Sequence, residues 1–200
     1  QSLAKKVMKE LEISTDQVKP RSMMEAVSRA KNQLLSPAQL SVQAQSYYEE
    51  LGAKFYARYQ AELEKNNALD FDDLIRLTVE LLEKHDEVRA RYQEKFHYVM
   101  VDEYQDTNFL QYRLVTALAG KHKNVFVIGD DYQSIYGWRQ ADIRNILEFE
   151  KDYPDAVVIT LDRNYRSTQV ILDAAQGIIG NNANQRHKKL WTDLKEGELI

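Results

Sequence analysis

Cysteine is absent from all 200 residues, so the chain can hold no disulfide framework and no thiolate-bound metal. That absence suits a reducing compartment, and a cytoplasmic location is the expectation. Glycine and proline number only seven and three, which excludes collagen-like and low-complexity classes. No apolar run approaches the ~18 residues that a membrane span needs. The opening QSLAKKVMKELEIS lacks the apolar centre of a secretory signal, so no membrane contact is expected. The four histidines, at 85, 97, 122 and 187, have no paired metal-ligand spacing. Ser134 and Ser167 have no histidine partner at a spacing that suggests a nucleophilic triad. Residue 1 is Gln rather than Met, and the expectation is a fragment or a processed product.

What is present is an ordinary globular composition, 44% hydrophobic and 29% charged, with a formal net charge of −4. At ~100–200 residues per domain this is one full domain or two small ones. Acidity is concentrated in the middle: 10 basic against 8 acidic residues over 1–65, 6 against 11 over 66–120, and 11 against 12 over 121–200. A net acidic chain is not an obvious nucleic-acid binder, because backbone binding runs on Lys and Arg displacing counterions. Totals mislead where carboxylates serve a metal, so function has to be argued from sites.

The first third reads as helix. Ser36 is placed as an N-cap, Pro37 at the first helical position and Gln39 to close a capping box. One long helix is expected to follow, with Ala44, Tyr48, Leu51, Phe55, Tyr59 and Leu63 as its apolar stripe and Asn66-Asn67 as its end. Asp70 begins a second helix, expected to run to about Tyr92. From residue 96 the period changes. Residues 96–101, 125–128 and 156–161 are short apolar runs rich in β-branched residues, as in strands buried on both faces. Helical patterns at about 108–119 and 141–151 separate them, and a last helix is expected from Ser167 to about Gly180. This alternation is the grammar of an α/β fold with a parallel sheet covered by helices, preceded by an all-helical part.

Two of the expected strands end in carboxylates: Val101 runs into Asp102-Glu103, and Ile128 into Gly129-Asp130-Asp131. Ligands bind at the carboxyl ends of strands in open parallel sheets. An apolar strand ending in Asp-Glu has the layout of a Walker B element, in which Asp binds Mg²⁺ and Glu polarises a water. The plainer alternative is that both acids cap the next helix. Tyr136, Trp138 and Arg139 lie in a polar, glycine-containing loop. Aromatic rings there are badly placed for core packing and well placed to stack on nucleic-acid bases. The alternative is that Trp138 anchors the loop. Arg186, Lys188 and Lys189 form a small basic cluster, expected to be a solvated face.

Three longer segments carry a specific resemblance: VDEYQDTN at 101–108, GDDYQSIYGWRQAD at 129–142 and LDRNYRST at 161–168. They resemble motifs II, III and IV of the UvrD/PcrA/Rep group of superfamily 1 DNA helicases, in order and at similar spacing. LDFDDLI at 69–75 and LWTDLKEGELI at 190–200 extend the likeness over essentially the whole chain. The resemblance implies that Asp102 binds Mg²⁺ and that Glu103 is the general base for water attacking the γ-phosphate of ATP. It implies that Gln133 senses that phosphate, with Asp130 and Gln105 in the supporting polar network. Arg166 would contact the γ-phosphate and Tyr165 would stack on the adenine. Tyr136 and Trp138 would stack on bases of single-stranded DNA, with Arg139 in a nearby contact.

The implied fold is a RecA-like (P-loop NTPase) core sheet flanked by helices, with an N-terminal helical accessory subdomain. Residues 1–66 would be part of that accessory insertion, 67–186 the latter part of the first core domain, and 187–200 the start of the connection to the second. The implied partners are single-stranded DNA, its junctions with duplex, and the remaining helicase domains. The implied role is 3′ to 5′ translocation and unwinding in DNA repair or replication. A Walker A loop is missing: the only Gly-Lys, Gly120-Lys121, is followed by His122 and has no glycine five residues before it. The expectation is therefore that this chain is inactive alone and that the loop lies upstream. Gln140 stands where the family usually has Gly, and Tyr132 where a small polar residue is common. The alternative is a non-catalytic binding or scaffold module of the same fold. Retention of Asp102, Glu103 and Arg166 together argues against it.

Overall fold

The computed structural model describes residues 2–183, 185–194 and 197. Four helices fill the first third: α1 Ser2–Glu10, α2 Pro20–Asn32, α3 Pro37–Gln43 and α4 Tyr47–Lys65. Proline opens α2 and α3, where its missing N–H leaves no ladder bond unmade. The Ser36 hydroxyl accepts from the Gln39 amide at 3.2 Å, and the Gln39 side chain accepts from the Ser36 amide at 2.9 Å, closing the expected capping box. Val7, Met8, Met23, Val27, Phe55 and Tyr56 meet in one core, each at most 1% exposed. Burying side chains of this kind stabilises by ~1.5–3 kcal/mol apiece, so packing holds this part together.

Both long helices expected from the spacing are broken. Ala44 is extended, and Ser46 starts α4 by accepting from the Glu49 amide at 3.3 Å, while Glu49 accepts from the Gln45 amide at 2.7 Å. These local bonds compete with the helical ladder. The apolar period continues across the break and hides it. Asp70 caps α5 Phe71–Lys84 as expected, but the helix stops at His85, whose φ of −124° and ψ of 94° are not helical. Asp86 and Glu87 then open α6 Asp86–Lys95, at the end of a helix that favours negative charge.

The helical part is joined to α5 through ions rather than grease. Lys31 is fully buried, with its Nζ 2.7 Å from Asp70 and 2.9 Å from Asp73, and 5.5 Å from the centre of the Tyr59 ring. Asp73 is equally buried and also receives Arg76 at 3.0 Å. Burial works against the Asp73 charge, but Lys31 and Arg76 together hold its carboxyl below the ordinary value. Burial also pushes the neighbouring Tyr56 hydroxyl up to about 12. One residue further on, the Asn32 side chain accepts from Asn108 at 2.8 Å and donates to Asp72 at 3.2 Å, reaching across to the second part of the chain.

That second part is mixed α and β. Strands β1 Val99–Val101 and β2 Val125–Val127 pair in parallel, Val99 opposite Val125 and Val101 opposite Val127. The crossover between them carries α7 Phe109–Ala119, as a parallel connection requires. The two-stranded sheet is smaller than the expected one. Residues 156–161 form no strand: Val157, Ile159 and Leu161 are 85%, 76% and 71% exposed. A strand exists only through a neighbour's hydrogen bonds, and among the described residues none pairs with this run. Nor are the strands covered on both faces, since Met100 and Phe126 are mostly exposed. The helix expected at 141–151 is two short ones, α8 Arg144–Leu147 and α9 Phe149–Asp152. The last, α10 Gln169–Ile179, begins behind Thr168 rather than at Ser167. Among the described residues no helix is long and apolar enough to cross a membrane. Of the 190–200 segment, residues 195, 196 and 198–200 lie outside the described residues.

Replacing Asp73 with Ala leaves the buried Lys31 ammonium with Asp70 alone, and we expect a loss of ~3–5 kcal/mol in urea unfolding. Because the folded carboxyl titrates below its unfolded value, its contribution is complete above the unfolded value and disappears as pH falls through the folded one. Stability should therefore decline below about pH 4, and this acid slope should shrink in Asp73→Ala. A variant with the parent's midpoint and the parent's acid slope contradicts the expectation.

Candidate functional site

The site begins where the two strands end. The Ile128 amide donates to the Val101 carbonyl at 2.9 Å and the Tyr104 amide to the Ile128 carbonyl at 3.0 Å, so pairing continues past both strands. This sets Asp102-Glu103 beside Gly129-Asp130. Glu103 takes a left-handed backbone conformation, with φ of 50° and ψ of 43°. Such a conformation costs a non-glycine residue ~1–3 kcal/mol, and here it turns the chain sharply off the strand. Asp102 Oδ1 accepts from the Glu103 amide at 2.9 Å. The reading of these acids as caps of the next helix fails, because a 3-10 turn, Tyr104–Asp106, intervenes and α7 is capped by Asn108 with Gln111.

Gln105 then joins the two strand ends. It is 1% exposed. Its Nε2 donates to Glu103 Oε2 at 2.8 Å, its Oε1 accepts from the Asp130 amide at 3.0 Å, and its carbonyl accepts from the Ser134 hydroxyl at 3.4 Å. The approach depends on Gly129: a Cβ there would stand 2.5 Å from Gln105 Oε1 and 2.8 Å from Ile146 Cδ1. Asp130 in turn accepts from the Tyr132 amide at 3.0 Å through Oδ1 and from the Gln133 side-chain amide at 2.8 Å through Oδ2. One continuous set of bonds therefore runs from Glu103 through Gln105 and Asp130 to Gln133. The far end of the same loop is tied back by the Asp142 amide and the Asn145 side chain, which donate to the Thr107 carbonyl at 2.9 and 3.0 Å.

In the basic cluster at 186–189, Arg186 and Lys189 are exposed, as expected of a charge run, but Lys188 is turned inward. Lys188 bridges Asp130 and Asp131, the latter at 2.7 Å, and Arg186 pairs with Glu150. Burial opposes the Asp130 charge, yet Lys188 and Gln133 hold its carboxyl below the ordinary value. Nothing in the spacing signals this, since Lys188 meets residues nearly sixty positions away.

Tyr136, Trp138 and Arg139 stand beyond Gln133 on the same loop. Trp138 is 72% exposed, so it is not a packing anchor. The Arg139 guanidinium lies 5.2 Å from the Tyr136 ring centre and 4.6 Å from that of Trp138. Gln140 adopts a left-handed conformation at φ 66°, which accounts for glycine being the easier residue there. Tyr165 and Arg166 lie on a separate loop. The Asn164 side chain accepts from the Arg166 amide at 2.9 Å, and the loop is held through Trp191 rather than through Gln105. Tyr165 is 74% exposed.

Among the described residues no three His, Asp or Glu gather into a metal cage. The exposed Asp102 nonetheless suits Mg²⁺, which takes one or two protein carboxylates and completes its shell with water and phosphate oxygens.

Comparison with known proteins adds two findings. The family described as the UvrD/REP helicase N-terminal domain matches residues 1–154. Proteins named ATP-dependent DNA helicase PcrA are similar over 199 residues, covering the whole chain: 51% identical in Staphylococcus aureus, 50% in Bacillus subtilis and 48% in Leuconostoc citreum. The chain spans 27% of the length of each of these relatives.

Gly129→Ala should force Gln105 off both of its partners. We expect a loss of ~1–3 kcal/mol in thermal or urea unfolding, the usual range for overpacking. A variant as stable as the parent would mean that Gln105 is not locked in this position.

Proposed function

The chain belongs to the UvrD/REP helicase N-terminal domain family, and on that premise we propose that it is a fragment of an ATP-dependent DNA helicase, carrying some of the residues that hydrolyse ATP and grip DNA. The observation that carries this reading is the bonded run from Glu103 through Gln105 and Asp130 to Gln133, which ends beside an exposed aromatic pair. In this reading residues 1–66 are part of a helical accessory domain, 67–186 the latter part of a first RecA-like core domain, and 187–200 the start of the connection to a second core domain. The whole enzyme would bind ATP and Mg²⁺, step 3′ to 5′ along single-stranded DNA and open duplex at junctions, in DNA repair or replication.

Phosphoryl transfer asks a protein mainly for positioning and charge neutralisation. Asp102 would hold Mg²⁺, which when bound neutralises charge on the phosphates. Gln105 engages Glu103 through Oε2, leaving Oε1 to take the proton of the attacking water. Gln133 carries a neutral amide that can meet the γ-phosphate, and Arg166 supplies a guanidinium for charge developing on it. Tyr165, exposed on the same loop, offers a ring for the adenine. Tyr136 and Trp138 provide faces for unpaired bases, and Arg139, whose guanidinium lies over both rings, supplies a cation for the phosphates of those nucleotides. Because Gln133 and Trp138 share one loop, a change at the phosphate is felt at the DNA.

Two measurements on the full-length protein test this. Glu103→Gln removes the base and keeps the size, so ATP binding should persist while turnover falls by ~100-fold or more; turnover within a few-fold of the parent rejects the base. Trp138→Ala should weaken single-stranded DNA binding by ~1–3 kcal/mol with little dependence on sequence, and depress DNA-stimulated but not DNA-independent hydrolysis. Its melting temperature should stay unchanged, as expected for an exposed ring. Unaltered DNA affinity rejects the stacking role.

A further inference from the structure

Lys188 has no part in the reading above, yet it is the most heavily engaged cation at the site. Its side chain is only 14% exposed. The ammonium reaches Asp130 Oδ1 and Asp131 Oδ1, and stands 4.0 Å from the centre of the Tyr132 ring. Those three contacts fall on consecutive residues of the loop that carries Gln133. The segment that delivers Lys188 is itself fixed along α10. Gln176 donates to the Lys188 carbonyl at 3.4 Å, Gln169 donates to the Leu190 carbonyl at 3.4 Å, and the Gln169 side chain accepts from the Thr192 amide at 3.2 Å. The backbone of the same segment adds a further tie, the Arg186 amide donating to Asp131 Oδ2 at 2.7 Å.

A largely buried ammonium shared by two adjacent carboxylates offsets much of the repulsion that would otherwise drive them apart. Asp130 Oδ1 is fixed by Lys188 and by the Tyr132 amide, which leaves Oδ2 directed at the Gln133 side-chain amide. We propose that Lys188 is a positioning residue for Gln133, acting through Asp130 and gripping the loop at Asp131 and Tyr132. Tyr132 fits this role, since an aromatic face beside the ammonium gives it a third partner that a small polar residue would not. The same contact couples two segments distant in sequence. The chain that follows the Tyr165-Arg166 loop and α10 returns to hold the loop between Gln133 and the DNA-facing rings, so a shift of one is transmitted to the other.

This inference rests on the assignment of Gln133 as the residue that meets the γ-phosphate, and its test separates the two. In the full-length protein, Lys188→Met should lower DNA-stimulated kcat about tenfold or more, the usual effect of removing an outer support. The KM for ATP should stay within about twofold, because a residue that orients a group used at the transition state acts on kcat. Lys188→Arg, which keeps the charge, should recover much of the loss, and the melting temperatures of the three proteins should agree. Should the methionine variant melt early, Lys188→Gln, which retains the stem and a donor, replaces it with the same expected loss in kcat. Gln133→Ala is measured alongside. If Gln133→Ala lowers kcat while the Lys188 variants do not, the role of Lys188 is overturned and the functional reading stands. If Gln133→Ala leaves kcat unchanged, the functional reading falls and this inference with it. A loss in Lys188→Met that arginine does not recover, or one that appears in KM alone, also overturns it.

Discussion

A single buried amide sets the geometry of the site. Gln105 has one donor group and one acceptor group on its side chain, and the structure assigns each to a different strand end: Nε2 to the Glu103 carboxylate and Oε1 to the Asp130 amide. No other side chain of that length could do both, because Glu would repel Glu103 and Met would leave two polar groups without partners. The parallel pairing of β1 and β2 brings the ends together, and the absence of a Cβ at Gly129 lets the amide fit between them. Everything downstream, from Asp130 to Gln133, inherits its position from that bridge.

Charge is arranged in opposite ways in the two parts of the chain. Around Lys31 the ions are enclosed and mutually satisfied, with Asp70 and Asp73 within bonding range of the ammonium, Arg76 bonded to Asp73, and two tyrosine rings beside the ammonium. Such a node adds little net stability over apolar packing, but it is costly to break, so it fixes how α2 meets α5. At the strand ends, Asp102 and Glu103 are left open to solvent while Asp130 and Asp131 are bridged by Lys188. The open pair is accessible from solvent, and the bridged pair ties the loop to the segment that carries Lys188. That division separates carboxylates that face solvent from carboxylates that are tied into the fold.

The loop between Gln133 and Gln140 carries strain and exposure where chemistry needs them. Glu103, where the bonded run starts, and Gln140, seven residues beyond its end at Gln133, both occupy left-handed backbone conformations without being glycine. Between them Trp138 is open to solvent with a guanidinium over its ring, a poor arrangement for stability and a good one for receiving a flat partner. The loop is nevertheless not free, since Thr107 accepts from Asp142 and Asn145 at its far end and Lys188 holds its near end. It is therefore suited to move as a unit rather than to flex residue by residue.

Most of the local structure was written in the sequence. Start signals at Ser36 and Asp70, proline at the start of α3, and apolar runs at 99–101 and 125–127 specify helices and strands through bonds made within a few residues. The candidates Asp102, Glu103 and Trp138 were singled out from their place at or after a strand end, and Gln133 from the resemblance of its motif. The breaks at Ala44 and His85 were not, because the apolar period passes through them and only the competing side-chain bonds reveal where the helix stops. Residues 156–161 have the composition of a strand and no neighbour to make them one, since pairing belongs to two segments and not to either alone. Lys188 marks the same limit most sharply: its charge is visible in the sequence, but whether it faces water or a pair of carboxylates is decided by how α10 lays the chain back across the sheet. Sequence alone determined which residues carry charge, caps and apolar faces, because those are properties of single positions and their near neighbours; tertiary structure decided which of them meet, because desolvation and hydrogen bonding between distant segments exist only once the chain has brought them together.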